Sequence, residues 1–397
     1  MRKLLLISFD AIGDDVFDRL LLNSPSFAQL VKQSRVHRGV SSVFLSNTYP
    51  VHTSIATGFA PKYHGLINNT HPFPSRYPRW CYEASRIKVK TLWQAAASKG
   101  LKTATVMWPV TAGAREISYN IPELLTQPGE NQILLNLKYG SRLLQTHMLL
   151  KYGKLLTKKG IKQPEIDYFS TACMAYIIKK KAPALAMMHL TAYDFLCHEH
   201  GLDSPALETA YKAMDKNLSA LLDAAQGRYD ILLFSDHSQL PAAKPLLPNR
   251  LLEERGYIRV DKSGEYLTGE CFFECSGGSA FLYPGSLSPG QVKELEEAVQ
   301  ALTGFGRMLY ADEMEVSGRA QLPFGFAAQP GWACEAYPGV EQANHGYPVD
   351  YDRYKVFFLC CGEGFEPGLV LGGSLLEVTA YAAEVLGLDM SSAAGNG

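Results

Sequence analysis

The chain has 397 residues, 47% of them hydrophobic and 19% charged, which supplies one large buried core with a subsidiary lobe and excludes a disordered or fibrous chain. Its formal net charge is -1, so no global field gathers a nucleic acid polymer or an anionic membrane, and affinity for a charged substrate has to be local.

The apolar opening Leu4 to Ile7 meets Asp10, Asp14 and Asp15 too soon for a secretory signal and reads as a buried strand, Lys3 to Phe9. No run approaches the ~18 apolar residues of a membrane span, so a cytoplasmic location is expected. Helical patterns follow at Pro25 to Gln33, Val51 to Thr57 and Thr91 to Lys99, the last stopped by Gly100. Lys102 to Trp108 predicts a second strand. Residues 113 to 163 break the rhythm with a leucine-rich stretch carrying Lys138, Arg142, Lys151, Lys154, Lys158 and Lys159. Its amphipathic pattern suits a membrane-surface helix or a helical cap packed on the main domain, and the cap is expected because packing helices are far commoner. Strands at Ala184 to Leu190, Asp230 to Phe234 and Tyr354 to Cys361 alternate with helices at Glu165 to Lys181, Pro205 to Ala225 and Leu375 to Leu386. That alternation predicts an α/β fold with a largely parallel sheet covered on both faces. Residues 246 to 340 mix short strands (Tyr257 to Val260, Cys271 to Cys275, Ala280 to Tyr283) with a helix at Pro289 to Leu302, an inserted α+β lobe. The tail from Ser391 is expected to fray. The eight cysteines are scattered and read as reduced thiols, with Cys271-x-x-x-Cys275 lacking a second pair at ligand spacing.

Asp and His residues recur directly after the strands. Asp10 closes the first, Asp194 and His198 follow Leu190, Asp236 and His237 follow Phe234, and His345 precedes the last strand. Loops at the carboxyl ends of parallel strands converge on one crevice, so these groups can meet. An Asp-x-x-x-His spacing sets both side chains on one face of a helix, and mixed carboxylate and imidazole ligands suit zinc. Each piece alone is commonplace, since an Asp after a strand is usually a turn or a cap. Their number and order carry the signal.

Between the first two pieces lie Thr48-Tyr49-Pro50-Val51-His52, then Thr57-Gly58 and His64-Gly65-Leu66-Ile67-Asn68-Asn69. This segment resembles the nucleophile region of the nucleotide pyrophosphatase/phosphodiesterase branch of the alkaline phosphatase superfamily, whose usual pattern is Thr-Phe-Pro-Asn-His, Thr-Gly and His-Gly-Ile-x-x-Asn. Tyr49, Val51 and Leu66 depart from it. Ser235-Asp236-His237, the Asp194/His198 pair and His345-Gly346-Tyr347 also match, so the resemblance runs from Asp10 to His345. It implies an alkaline phosphatase-like sandwich as a single catalytic domain and two divalent ions, zinc for preference. Asp194, His198 and His345 would bind one, and Asp10, Asp236 and His237 the other, with Thr48 as a further ligand and the nucleophile. Asn69 and the Thr48 backbone N–H would donate to the phosphoryl oxygens, and a covalent phosphothreonine would form and be hydrolysed. His52 and His64 are expected to be structural or to support the ligands.

Thr48 excludes the sulfatase reading, because threonine cannot become formylglycine and the accompanying Arg is missing. The nucleophile segment also lacks an Arg to neutralise a monoester's extra charge, which favours a small diester or pyrophosphate. Nucleotide-cleaving relatives hold the base between an aromatic after the nucleophile and a Tyr five positions before the Asp-x-x-x-His aspartate. Tyr49 and His189 stand at these positions as substrate-binding candidates. A phosphonoacetate-type carbon–phosphorus hydrolase, a phosphomonoesterase and a catalytically degenerate metal-binding module are the alternatives.

Overall fold

An eight-stranded sheet organises the chain. The computed structural model describes residues 2–75, 77–156, 162–261, 266–269, 271–339 and 341–390, so the tail from Ser391, Lys158 and Lys159 lie outside the described residues. The strand order is Gly368–Leu371, Arg35–Val40, Val356–Cys361, Asp230–Ser235, Leu4–Phe9, Leu185–Leu190, Thr103–Val106, Tyr119–Ile121. Every neighbouring pair is parallel except those made by Val356–Cys361, which runs antiparallel to both Asp230–Ser235 and Arg35–Val40.

The first strand shows why the sheet is buried on both faces. Side chains alternate along a strand, and Leu5, Ile7 and Phe9 enter one apolar cluster while Leu4 and Leu6 enter another. The first cluster is closed by Cys173, Met174 and Ile177 from the helix Glu165–Lys181 and by Leu218 and Leu221 from Leu207–Ala225. The second is closed by Val51 and Ile55 from Thr48–Thr57, Trp93 from Leu92–Ser98 and Val378 from Glu377–Leu386. The result is a three-layer α/β arrangement with helices on both faces of one sheet.

Three sheet strands fall outside the sequence expectation. Tyr119–Ile121 has only three residues, and Gly368–Leu371 is an exposed edge. Arg35–Val40 (RVHRGV) is polar and holds Gly39 at φ +66°, so it has no apolar alternation to read. Within 246–340, the strands Phe272–Ser276, Ser279–Tyr283, Gly325–Ala328 and Phe305–Met308 form an antiparallel sheet in that order. Phe273, Leu282 and Phe326 give it its own core with Leu295 of the helix Pro289–Gln300, which a Ser288/Gln291 capping box starts. Within 113–163, the helices Gln132–Tyr139 and Arg142–Tyr152 bury Leu135 and Met148 but leave Leu134, Leu143 and Leu150 in solvent at 67%, 88% and 84% exposure. Among the described residues no helix is long and apolar enough to cross a membrane. All eight cysteines are free.

Candidate active site

The register of the sheet sets the carboxylates. Phe9 pairs with Leu190 on one side and with Ser235 on the other, so Asp10 and Asp236 leave adjacent strands at the same level. One turn beyond Leu190, the helix Ala192–His200 carries Asp194 and His198 four residues apart on one face, with Nε2 of His198 3.2 Å from Oδ1 of Asp194. Thr48 opens the wholly buried helix Thr48–Thr57, with extended Asn47 as its cap and Gly58 ending it at φ +80°. A helix start points free N–H groups and a positive dipole end at whatever sits there.

Nε2 of His237 is the centre of the cluster. It lies 3.2 Å from Oγ1 of Thr48, 3.4 Å from Oδ1 of Asp10 and 3.3 Å from Oδ2 of Asp236. Ligand atoms of Asp10, Asp236 and His237 fall within 4.8 Å of one another, as do those of Asp194, His237 and His345. His237 therefore joins two groups that share a wall. His198 stands beside the second group rather than in it: its Nδ1 lies 2.9 Å from Glu341 and its ring centre 5.2 Å from that of His345.

The electrostatics fit a cation. Oδ1 of Asp10 and Oδ2 of Asp236 are buried with no hydrogen-bond partner, and stranding a carboxylate oxygen away from water is costly. Burial, together with Asp194 and Asp236, pushes the Asp10 carboxyl well above its usual range, and burial pushes Asp236 up to about 7. Burial also drives His237 down to about 4 and His345 well below its usual value, so both imidazoles are neutral and can offer a lone pair. Asp194 resists its burial, because His198 beside it holds the carboxylate ionised. Neutral imidazoles and uncompensated carboxylates within a few ångströms form a donor set for divalent metal.

A chain of buried hydrogen bonds fixes His345. With Nδ1 of His345 donating to Oδ1 of Asn47 (2.9 Å), Nδ2 of Asn47 donates to Oδ1 of Asn68 (2.8 Å), and Nδ2 of Asn68 donates to Glu274 and Ser276 (2.7 Å each). Nε of Arg319 closes the line on Glu274 at 3.0 Å, both side chains being almost fully buried. In that tautomer the Nε2 lone pair of His345 faces the cluster. The loop is clamped as well. Gly278 N–H donates to the His345 carbonyl at 2.7 Å, and a Cβ on Gly277 or Gly346, both at positive φ, would strike the opposing backbone.

Around Thr48, Oδ1 of Asn69 accepts from the Tyr49 N–H at 2.8 Å, which leaves its amide Nδ2 as the group able to donate into the cavity it lines. His52 sits behind, Nδ1 donating to the Thr48 carbonyl at 2.8 Å and Nε2 accepting from Ser8 at 2.9 Å. His64 accepts the Leu66 N–H and pairs with Ser54. Both are supports.

The substrate-binding candidates are corrected. Tyr49 is completely buried, packed behind Trp80 with ring centres 5.3 Å apart, and it is Trp80 that lines the cavity. His189 is also completely buried, with Nε2 3.1 Å from Oδ2 of Asp10 and Nδ1 3.2 Å from Glu123. Neither ring has a face open to a substrate; His189 instead orients Asp10. Motif reading also passed over Asn47, Asn68, Glu274, Arg319, Glu341 and Gln239, which hydrogen-bonds Asp194. Only the adjacency of Asn47 to Thr48 and of Asn68 to Asn69 hinted at two of them.

The fold and the cluster together define an alkaline phosphatase-like α/β protein with an Asp/His cluster able to hold a divalent metal, facing a threonine at a helix start. Residues 4–348 match the family model for type I phosphodiesterase / nucleotide pyrophosphatase, and the chain belongs to that family. It is 21% identical over 276 residues to human ectonucleotide pyrophosphatase/phosphodiesterase family member 5, covering 66% of this chain and 50% of that protein. It is 32% identical over 119 residues to the human bis(5'-adenosyl)-triphosphatase ENPP4, covering 28% of this chain and 25% of that one. The chain thus spans at most about half the length of these curated relatives. Among solved structures, an inactive threonine-to-alanine form of murine ectonucleotide pyrophosphatase / phosphodiesterase 5 in complex with AMP superimposes with a TM-score of 0.70 at 17% identity, over 100% of this chain and 98% of that one.

Proposed function

We propose that the protein hydrolyses small phosphodiesters, nucleotide-type esters and pyrophosphates included, with Thr48 as nucleophile and a covalent phosphothreonine intermediate. Two zinc ions are assigned, one to Asp10, Asp236, His237 and Thr48, the other to Asp194, His345 and His198. His198 stands 3.2 Å from Oδ1 of Asp194, though outside the tight group that Asp194 and His345 form with His237. When bound, such ions supply the positive charge that lowers the pKa of a hydroxyl and neutralises a phosphoryl group. The observation that carries the reading is the approach of Thr48 Oγ1 to His237 Nε2 at 3.2 Å, beside the two carboxylates with unpartnered oxygens.

Thr48 Oγ1 attacks phosphorus, the P–O bond to the leaving group breaks, and the hydroxyl proton ends on the oxygen of the departing alcohol. The Asn69 amide and the Thr48 backbone N–H donate to the non-bridging oxygens, whose charge grows in the transition state. Water then attacks the phosphothreonine and releases Thr48 with the second product. His52, by accepting no substrate contact and holding the Thr48 carbonyl, keeps the helix start in place. A cytoplasmic site of action is proposed on the sequence reading alone.

Zinc-loaded protein should carry close to two equivalents of metal and cleave bis-p-nitrophenyl phosphate faster than p-nitrophenyl phosphate. Thr48→Ala should abolish turnover while metal content stays. Metal-free active protein, or full activity in Thr48→Ala, would overturn the proposal.

A further inference from the structure

Packing against the main domain accounts for only part of the leucines in the 113–163 region. In the helix Arg142–Tyr152, Gln145 and Met148 are buried, while Leu143 and Leu150 stand almost fully in solvent. Seven residues is close to two helical turns, so these two leucines share one stripe on the face opposite the buried one. Leu134 of the helix Gln132–Tyr139 and Leu155 of the turn Gly153–Leu155 are exposed as well. A helix that is apolar all round is ordinarily covered on every side. This one is covered on one side only. The charges beside these leucines have a single sign. From Asn131 to Pro164 the sequence holds seven Lys or Arg residues and no Asp or Glu, in a chain whose net charge is -1. Lys138, Arg142, Lys151 and Lys154 are exposed, and among the described residues none of them is in an ion pair. Lys138 lies over the ring of Tyr139, and Lys151 over those of Tyr152 and Tyr176.

We propose that the outward face of these two helices docks on an anionic lipid surface. Leu143 and Leu150 enter the acyl boundary, and Lys138, Arg142, Lys151 and Lys154 meet the lipid phosphates. Protruding leucines flanked by unpaired basic residues are what an interfacial helix presents, and the two attractions add. A second copy of the chain is the poorer occupant, because pairing this face with itself sets the basic residues of both copies against one another. A protein partner would have to supply a pocket shaped to each leucine, whereas a fluid acyl boundary receives side chains that stand clear of their neighbours. The inference is independent of the phosphodiesterase reading and of which ester is cleaved.

The test is co-sedimentation of the full chain with vesicles of phosphatidylcholine alone or mixed with phosphatidylserine at about one third of the lipid. A basic residue near an anionic surface contributes about fivefold, so the partition coefficient should be at least roughly tenfold higher on the mixed vesicles and should fall as salt is raised. The double variant Arg142→Gln/Lys154→Gln should lose about tenfold or more of that binding and much of its salt dependence. Leu143→Ser/Leu150→Ser, which leaves every charge in place, should also lose about tenfold or more, since two leucines no longer leave water. Both double variants should unfold in urea as the wild type does, which separates a lost surface from a lost fold. Equal partition onto the two vesicle types, or wild-type binding by Leu143→Ser/Leu150→Ser, overturns the proposal. So does a chain that ignores both vesicles: light scattering then assigns the face to a second copy if the protein is a dimer that Leu143→Ser/Leu150→Ser dissociates, and to a different protein if it is a monomer.

Discussion

Replacing Asn47 by alanine should loosen the proposed metal site without touching any of its proposed ligands. Asn47 accepts from His345 at 2.9 Å and donates to Asn68 at 2.8 Å, and it is itself buried. Its loss leaves the Asn68 oxygen with one remaining donor, the Asn69 N–H at 2.8 Å, so that end is still satisfied. The His345 Nδ1–H has no such substitute, and the ring is free to turn or to change tautomer. Loss of the partner that orients a ligating histidine lowers metal affinity by about 10- to 100-fold, or about 1.4–2.7 kcal/mol at 1.4 kcal/mol per decade. Global stability should fall less, by about 1 kcal/mol for one buried hydrogen bond. Competition for zinc against a fluorescent chelator measures the first quantity, and urea unfolding of the metal-free protein measures the second. Zinc affinity within twofold of wild type, with the fold intact, would refute the claim that Asn47 orients His345.

Other outcomes follow from burial and charge. Arg319→Met leaves Glu274 charged and unpaired in the lobe, and should cost about 3–5 kcal/mol in urea unfolding. Met148→Ala, at a fully buried position, should cost about 2–5 kcal/mol, whereas Leu143→Ser and Leu150→Ser, 88% and 84% exposed, should stay within about 0.5 kcal/mol of wild type. Burial lowers His64 to about 3 in the folded protein, against 6.5 as its ordinary value. A depressed base binds fewer protons folded than unfolded, so its contribution is complete above pH 6.5 and is lost as pH falls towards 3. His64→Gln should therefore flatten the pH dependence of unfolding free energy between pH 6 and 4, by up to about 1.4 kcal/mol per pH unit; an unchanged slope would count against a neutral buried His64.

The elements that position the centre were legible because strand ends and helix spacing are local. The predicted helix Glu165 to Lys181 is the one observed, and Asp10, Asp194, Asp236 and His237 follow the strands that were expected to present them. Edges were not legible: Gly368–Leu371 is exposed along its length, so burial wrote no alternation into it. Nor could the sequence tell that Tyr49 and His189 face inward, because a motif position specifies a residue and leaves open which neighbours cover its ring. Trp80 and Glu123, far away in sequence, decide that. The same holds for Glu274 and Arg319, an ordinary charged pair until the lobe folds against Asn68.

That last contact bears on how far the protein can be taken apart. Ser276 and Glu274 grip Asn68, and Gly278 grips the loop of His345, so the lobe supplies the rear of the Asp/His cluster as well as its own small sheet. A graft that exchanged this lobe for a relative's, or a truncation that removed it, would import or delete the mould that holds His345. Interchangeable parts in this architecture have to be cut elsewhere, with residues 272–278 kept alongside Asn47, Asn68 and His345 as one inherited unit.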